Sequence, residues 1–128
     1  MDSIANMLIS IKNAGNVKKD SVSIPYSSIK FVIAEKLKQR GFVGNVEKKG
    51  KTNPAISIEV LYDESGRPRI TDVDRLSKLS RRLYKGYRDI RPVRRGHGVL
   101  LVSTPKGVLT GEEAIKEKVG GEVLCTIW

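Results

Sequence analysis

The residue types best suited to chemistry are scarce in this chain, and most of them argue against catalysis. His97 is the only histidine and Cys125 the only cysteine among 128 residues. A His-based metal cluster has too few ligands, and an internal disulfide cannot form. Cys125 and His97 are the types of a nucleophile–base pair, but Cys125 lies in the run Val123-Leu124-Cys125-Thr126-Ile127. That run reads as a buried strand, where a thiol behaves as a small hydrophobe. Neither Gly96-His97-Gly98 nor the segment 107–111 continues into the Lys-Ser/Thr pair of a phosphate loop. The carboxylate pairs Asp72/Asp74 and Glu112/Glu113 suit one face of a strand and an acidic helix start. The chain is therefore expected to be no enzyme and to need no metal or cofactor.

Nucleic acid is a better match. The run Val102-Ser103-Thr104-Pro105-Lys106-Gly107-Val108-Leu109 leaves an apolar strand and presents two hydroxyls, a cation and a glycine at its tip. Hydroxyls and backbone amides on a close-approaching loop suit RNA, whose wide minor groove displays 2′-hydroxyls and base edges. The same residue types also build a plain β-turn, and spacing alone leaves the two readings even. Tyr84 and Tyr87 interleave with Arg82, Lys85 and Arg88. Such rings either stack on unpaired bases or pack beneath a sheet.

Charge favours RNA. Twenty-four Lys and Arg against fourteen Asp and Glu leave a net +10, the footprint of a phosphate-backbone binder. Eight of those cations (Lys78, Arg81, Arg82, Lys85, Arg88, Arg91, Arg94, Arg95) fall within 78–95, against Asp89 alone. Field concentrated on one segment points to a docking surface.

The elements that must position these residues follow from periodicity. Ile4, Met7, Leu8 and Ile11 predict a helix over 3–14, stopped by Gly15. Val22 and Ile24 predict a short strand. A second helix is expected over 28–40, with Ile29, Val32, Ile33 and Leu37 inward, Lys30 outward, and Gly41 as its stop. Strands are expected over 42–47 and 56–62. The cluster Glu64-Ser65-Gly66-Arg67-Pro68 marks a boundary between lobes. Beyond it come strands over 69–76, around 82–84, over 99–104 and over 123–128. One short helix is capped by Thr110 with Glu113 and runs to Gly120-Gly121. The expected fold is α+β: an α-β-α-β-β lobe over 1–64, and a mainly antiparallel β lobe with one helix over 65–128. The first 13 residues lack a leader pattern and no apolar run nears the ~20 residues of a membrane span, so a cytoplasmic protein is expected.

The pattern Gly98-x-x-Leu101-Val102-Ser103-Thr104-x-x-Gly107-Val108-Leu109, followed by Ala114 and by Gly120-Gly121-Glu122, resembles the C-terminal signature of the bacterial small-subunit ribosomal protein eight family. Arg75-Leu76-Ser77-Lys78 with Arg82 and Tyr84 falls in register with that family's basic segment. Ile4-Ala5, Met7-Leu8, Ile11-Lys12-Asn13-Ala14 and Pro25-Tyr26-Ser27 with Lys30 are similar to its N-terminal blocks. The resemblance implies a two-lobed protein that clamps a helical element in the central domain of small-subunit rRNA. It implies early action in 30S assembly beside other small-subunit proteins, and in many bacteria repression of the protein's own operon mRNA. The implied RNA contacts are Ser103, Thr104, Lys106, Gly107, Tyr84, Arg82, Gly120, Gly121 and Glu122, with Lys30 and Lys12 from the first lobe. The free protein is expected to be a monomer. Two positions depart from the family: Pro105 stands for a second serine, and Leu79-Ser80 for Pro-Gly.

Overall fold

A computed structural model describes residues 3–78 and 80–128. They form two compact units, Ser3–Thr71 and Asp72–Trp128.

The first unit runs α1 (Ser3–Asn16), β1 (Ser21–Pro25), α2 (Ser28–Gln39), β2 (Val43–Lys49) and β3 (Ala55–Val60). Its sheet is antiparallel in the order β1-β3-β2. Strict alternation in β3 turns Ile56, Ile58 and Val60 to the core and Ser57 and Glu59 away. Against that apolar face lie α1, through Ile4, Met7, Leu8 and Ile11, and α2, through Ile33 and Leu37.

Three details differ from the sequence expectation. Gly15 does not stop α1; it is buried within the helix, where a Cβ would meet Pro68 at 2.9 Å. The reversal comes at Lys18, in the left-handed region with φ 61°, and Lys19 N–H closes back on Ala14 O. In α2 the buried stripe is Lys30, Ile33, Ala34 and Leu37, while Ile29 and Val32 are both 38% exposed. Ser27 caps Lys30 N–H, which sets the helix phase and turns that i, i+3, i+4, i+7 row inward. Lys30 is thus buried, its aliphatic stem lying where an apolar residue was expected. Finally, residues 65–71 belong to the first unit: Tyr62 bridges Pro68, Arg69 N–H bonds Leu61 O, and Ile70 is buried.

The second unit contains β4 (Val73–Arg75), β5 (Tyr84–Lys85), β6 (Val99–Thr104), β7 (Gly107–Thr110), α3 (Gly111–Glu117) and β8 (Gly121–Ile127). The sheet order is β4-β8-β6-β7, with β5 paired beside β4 along β8. The long strand expected over 69–76 is only β4, and β7, expected as loop, pairs residue by residue with β6. The last strand begins at Gly121, two residues earlier than expected. Ile90, Leu100, Val102, Ala114 and Val123 form the core under one face. The expected capping box of α3 is present, with Thr110 and Glu113 bonding each other's N–H. Among the described residues no helix is long and apolar enough to cross a membrane.

Candidate nucleic-acid interface

The hydroxyl-bearing loop is a tight hairpin. Thr104 pairs with Gly107 across Pro105-Lys106. Proline presets the first turn position near φ −65°, and Gly107 at φ 103° supplies the left-handed residue at which β7 begins. Thr104 Oγ1 accepts from Lys106 N–H at 3.1 Å and donates to Gly107 O at 2.8 Å. Turn chemistry therefore accounts for Thr104 and Gly107. The Ser103 hydroxyl, half-buried at the foot of the hairpin, has no hydrogen-bond partner among the described residues. Lys106 is exposed and pairs with Glu117 at 3.1 Å.

Register places three of the expected site residues, Ser103, Glu122 and Tyr84, in one row. Ser103 lies opposite Val108 on β7 and Glu122 on β8, and Glu122 lies opposite Tyr84 on β5. Directly opposed residues of antiparallel strands share a face, so Val108, Ser103, Glu122 and Tyr84 line one face of the sheet, Tyr84 exposed and the other three partly buried. Their neighbours Val102 and Val123 face the core. With strands about 4.8 Å apart, Ser103 and Tyr84 stand about 10 Å apart. Tyr84 is 69% exposed, which rules out packing beneath the sheet and leaves its ring face available.

Gly120 and Gly121 have a packing reason. A Cβ on Gly121 would fall 1.9 Å from Ser103 O, and one on Gly120 would fall 2.3 Å from Lys85 O. Their bare backbones let the start of β8 pass between β5 and β6, which draws Tyr84 and Ser103 to the same row.

Glu122 is tightly held. Its carboxylate accepts from the Ser77 hydroxyl and from Arg82 Nη1 at 3.1 and 3.2 Å. Ser77 is fully buried, and its oxygen also accepts Leu83 N–H at 3.2 Å. The Ser77 hydroxyl, against the opposing effect of burial and with help from Arg82, holds the Glu122 carboxyl below the usual carboxylate range. Ser77 was missed as a site residue: a serine inside a basic run has no sequence signal, and only the fold buries it.

All eight cations of 78–95 are exposed. Arg82 is the one among them with a carboxylate partner among the described residues. Arg94 and Arg95 sit in the left-handed region at φ 49° and 56°, a conformation that costs a residue with a Cβ about 1–2 kcal/mol each. The Arg94 guanidinium lies 4.2 Å from the Trp128 ring centroid, a cation–π contact. Leu79, half of the Leu79-Ser80 departure, lies outside the described residues. Lys12, half-buried on α1, and Lys30, buried on α2, belong to the first unit.

The residues weighed for catalysis are placed apart from such chemistry. Cys125 is buried in β8, and Glu113 serves the α3 cap. Asp72 accepts Val73 N–H, and its backbone pairs with Trp128. Among the described residues no three His, Cys, Asp or Glu side chains gather as a metal site would require.

Comparison with known proteins gives the family. The family model described as ribosomal protein S8 matches residues 2–128. The small ribosomal subunit protein uS8 of Helicobacter pylori (strain Shi470) is 41% identical over 129 residues, covering 99% of this chain and 98% of that protein. The uS8 of Ectopseudomonas mendocina (strain ymp) is 45% identical over 127 residues, covering 99% and 97%. That of Helicobacter acinonychis (strain Sheeba) is 40% identical over 129 residues. Matched from end to end in this way, the chain belongs to the ribosomal protein S8 family of small-subunit structural proteins.

Proposed function

We propose that the second unit binds a helical element in the central domain of small-subunit rRNA and that the protein thereby helps assemble the 30S platform. The observation that carries this reading is the row Ser103–Glu122–Tyr84 across one face of the sheet, in a unit whose exposed cations largely lack carboxylate partners. The division of labour follows from chemistry. Arginines and lysines of 78–95 neutralise phosphates without reading sequence. Ser103 offers an unengaged hydroxyl to a base edge or 2′-hydroxyl, and Tyr84 offers a ring to a base. Arg82, Thr104, Lys106, Gly107, Gly120 and Gly121 shape or flank that row, and Lys12 adds a contact from the first unit, where Lys30 is buried. The protein works on the ribosome in the cytoplasm, beside neighbouring small-subunit proteins, and is a monomer when free. A similar fold in its own operon mRNA competes for the same row, which makes it a translational repressor.

The test is filter binding of the whole protein to a transcribed central-domain rRNA fragment and to a random-sequence duplex of equal length, with co-sedimentation on small subunits. Saturable binding to the fragment at least a hundredfold tighter than to the duplex is expected. Equal binding to both would replace this reading with that of an unspecific RNA chaperone.

A further inference from the structure

Glu122 poses a problem for any RNA-binding surface, because a carboxylate repels phosphate. It is nevertheless the central member of the row, between the Ser103 hydroxyl and the Tyr84 ring. The structure does not leave it to move aside. Ser77, fully buried, donates to Glu122 Oε2 and accepts from Leu83 N–H, so one hydroxyl ties the carboxylate to the backbone just before Tyr84. Arg82 Nη1 spans both oxygens at 3.1 and 3.2 Å. Oε2 thus accepts twice and Oε1 once. A carboxylate oxygen has two lone pairs, so Oε1 keeps one without a donor, on a side chain that is 14% exposed.

An acceptor-only group with one vacancy discriminates. A phosphate or carbonyl brought to it finds no proton and meets repulsion. A base amino or imino N–H, or a 2′-hydroxyl, finds a charge-assisted bond. We propose that Glu122 is a specificity-determining residue that admits only a hydrogen-bond donor at the centre of the RNA face, and that Ser77 is the positioning residue that aims it. The inference rests on the RNA-binding reading above and assigns that same surface a selecting element. It gives the buried serine a functional consequence beyond its structural bond. Without Ser77 the carboxylate is held by Arg82 alone. Arg82 is itself half-exposed and is drawn towards phosphate when RNA arrives. Glu122 would then follow Arg82 or rotate away, and selection would be lost while general attraction persisted.

A double-mutant cycle tests this, using the whole protein, the central-domain fragment and the random duplex. Glu122→Gln keeps an acceptor for Ser77 but adds an amide donor and removes the charge. It should bind the duplex more tightly and lower the ratio of fragment to duplex affinity about tenfold. Ser77→Ala should lower the ratio by a similar factor, and should lower it no further in the Glu122→Gln background. Ser77→Thr, which retains the hydroxyl, should restore the ratio. The pH profile is a second readout. As pH falls, the native protein should keep its ratio to lower pH than Ser77→Ala, because the serine bond favours the ionised carboxylate. Thermal melts in parallel show which variants are folded, and Glu122→Gln, which keeps the loop bond to Leu83, carries the test if Ser77→Ala is not. Equal losses on both RNAs, an additive cycle, or an unchanged ratio in Glu122→Gln would overturn the inference. Those outcomes leave the native preference for the fragment intact, whereas absence of that preference would overturn the RNA-binding reading and this inference with it.

Discussion

Replacing Gly121 with alanine tests most directly what the glycine pair at the start of β8 does. A Cβ there would lie 1.9 Å from the carbonyl oxygen of Ser103, where real Cβ contacts do not fall below 3.0 Å. The obstacle is backbone, not the end of a flexible side chain, so β6 and β8 must part locally by about an ångström. A hydrogen bond near 2.9 Å stretched that far is no longer a good bond. Losing the two nearest ladder bonds costs about 1 kcal/mol each, and residual overpacking adds about 1–2 kcal/mol. Gly121→Ala should therefore destabilise the protein by about 2–4 kcal/mol and lower Tm by roughly 10 °C. The control is Gly86→Ala, where nothing lies within 4 Å of the new Cβ; it should cost under about 1 kcal/mol. Urea titration and thermal melts, each followed by far-ultraviolet circular dichroism, measure both. A Gly121→Ala protein melting within about 2 °C of the native one would refute the close-approach argument. The glycine would then have to be explained by contact with RNA alone.

Binding to the rRNA fragment should weaken with salt at a log–log slope of roughly −3 to −5, as expected if about five phosphates are neutralised by the 78–95 segment; a flat titration would remove the electrostatic component. Ser103→Ala should cost about 1–2 kcal/mol on the fragment and little on random duplex, while Arg94→Ala should weaken both about equally. Identical losses for Ser103→Ala on both RNAs would deny that hydroxyl any part in telling the fragment from other RNA. Pro105→Ser should preserve fragment affinity or improve it by up to about 1 kcal/mol, and make the hairpin more mobile in the free protein. A tenfold loss instead would mean that the proline ring packs on RNA. Glu122 has a folded pKa below its unfolded value near 4.5, so its stabilising contribution is present above that pH and fades as pH falls through the folded pKa. Denaturant melts between pH 3 and 7 should therefore show a shallower acid loss for Glu122→Gln than for the native chain.

Much of this architecture was legible because local signals agreed. The β6 run, the Thr110–Glu113 box and the Gly41 reversal each carry their own chemistry, and all three stand where expected. Where expectation failed, a competing signal was stronger. Gly107-Val108-Leu109-Thr110 is short and follows Pro105, so it read as the end of a loop; the offset of Pro105 and Gly107 is the hairpin signature that could have revealed β7. Lys30 was read outward because hydrophobicity was counted residue by residue, yet the cap at Ser27 sets the phase of the helix. Gly120-Gly121 read as a helix stop because their true constraint, two flanking strands, is distant in sequence. Ser77 is the extreme case, since its partners Leu83 and Glu122 are six and 45 positions away.

The carboxylate partners of Arg82 and Lys106 have a kinetic consequence. Beside the Ser103 row, Arg82 and Lys106 are matched by Glu122 and Glu117, whereas the other exposed cations of 78–95, Lys85 next to Tyr84 included, lack carboxylate partners among the described residues. Attraction at long range then comes chiefly from the unmatched arginines, and short-range retention chiefly from the matched neighbourhood. Encounter and residence are thereby separated. Salt should slow arrival by screening the arginine field, while the lifetime of the docked complex, set by short hydrogen bonds and stacking, changes far less. Under the proposed function, such a surface would sample many RNAs quickly and dwell on few.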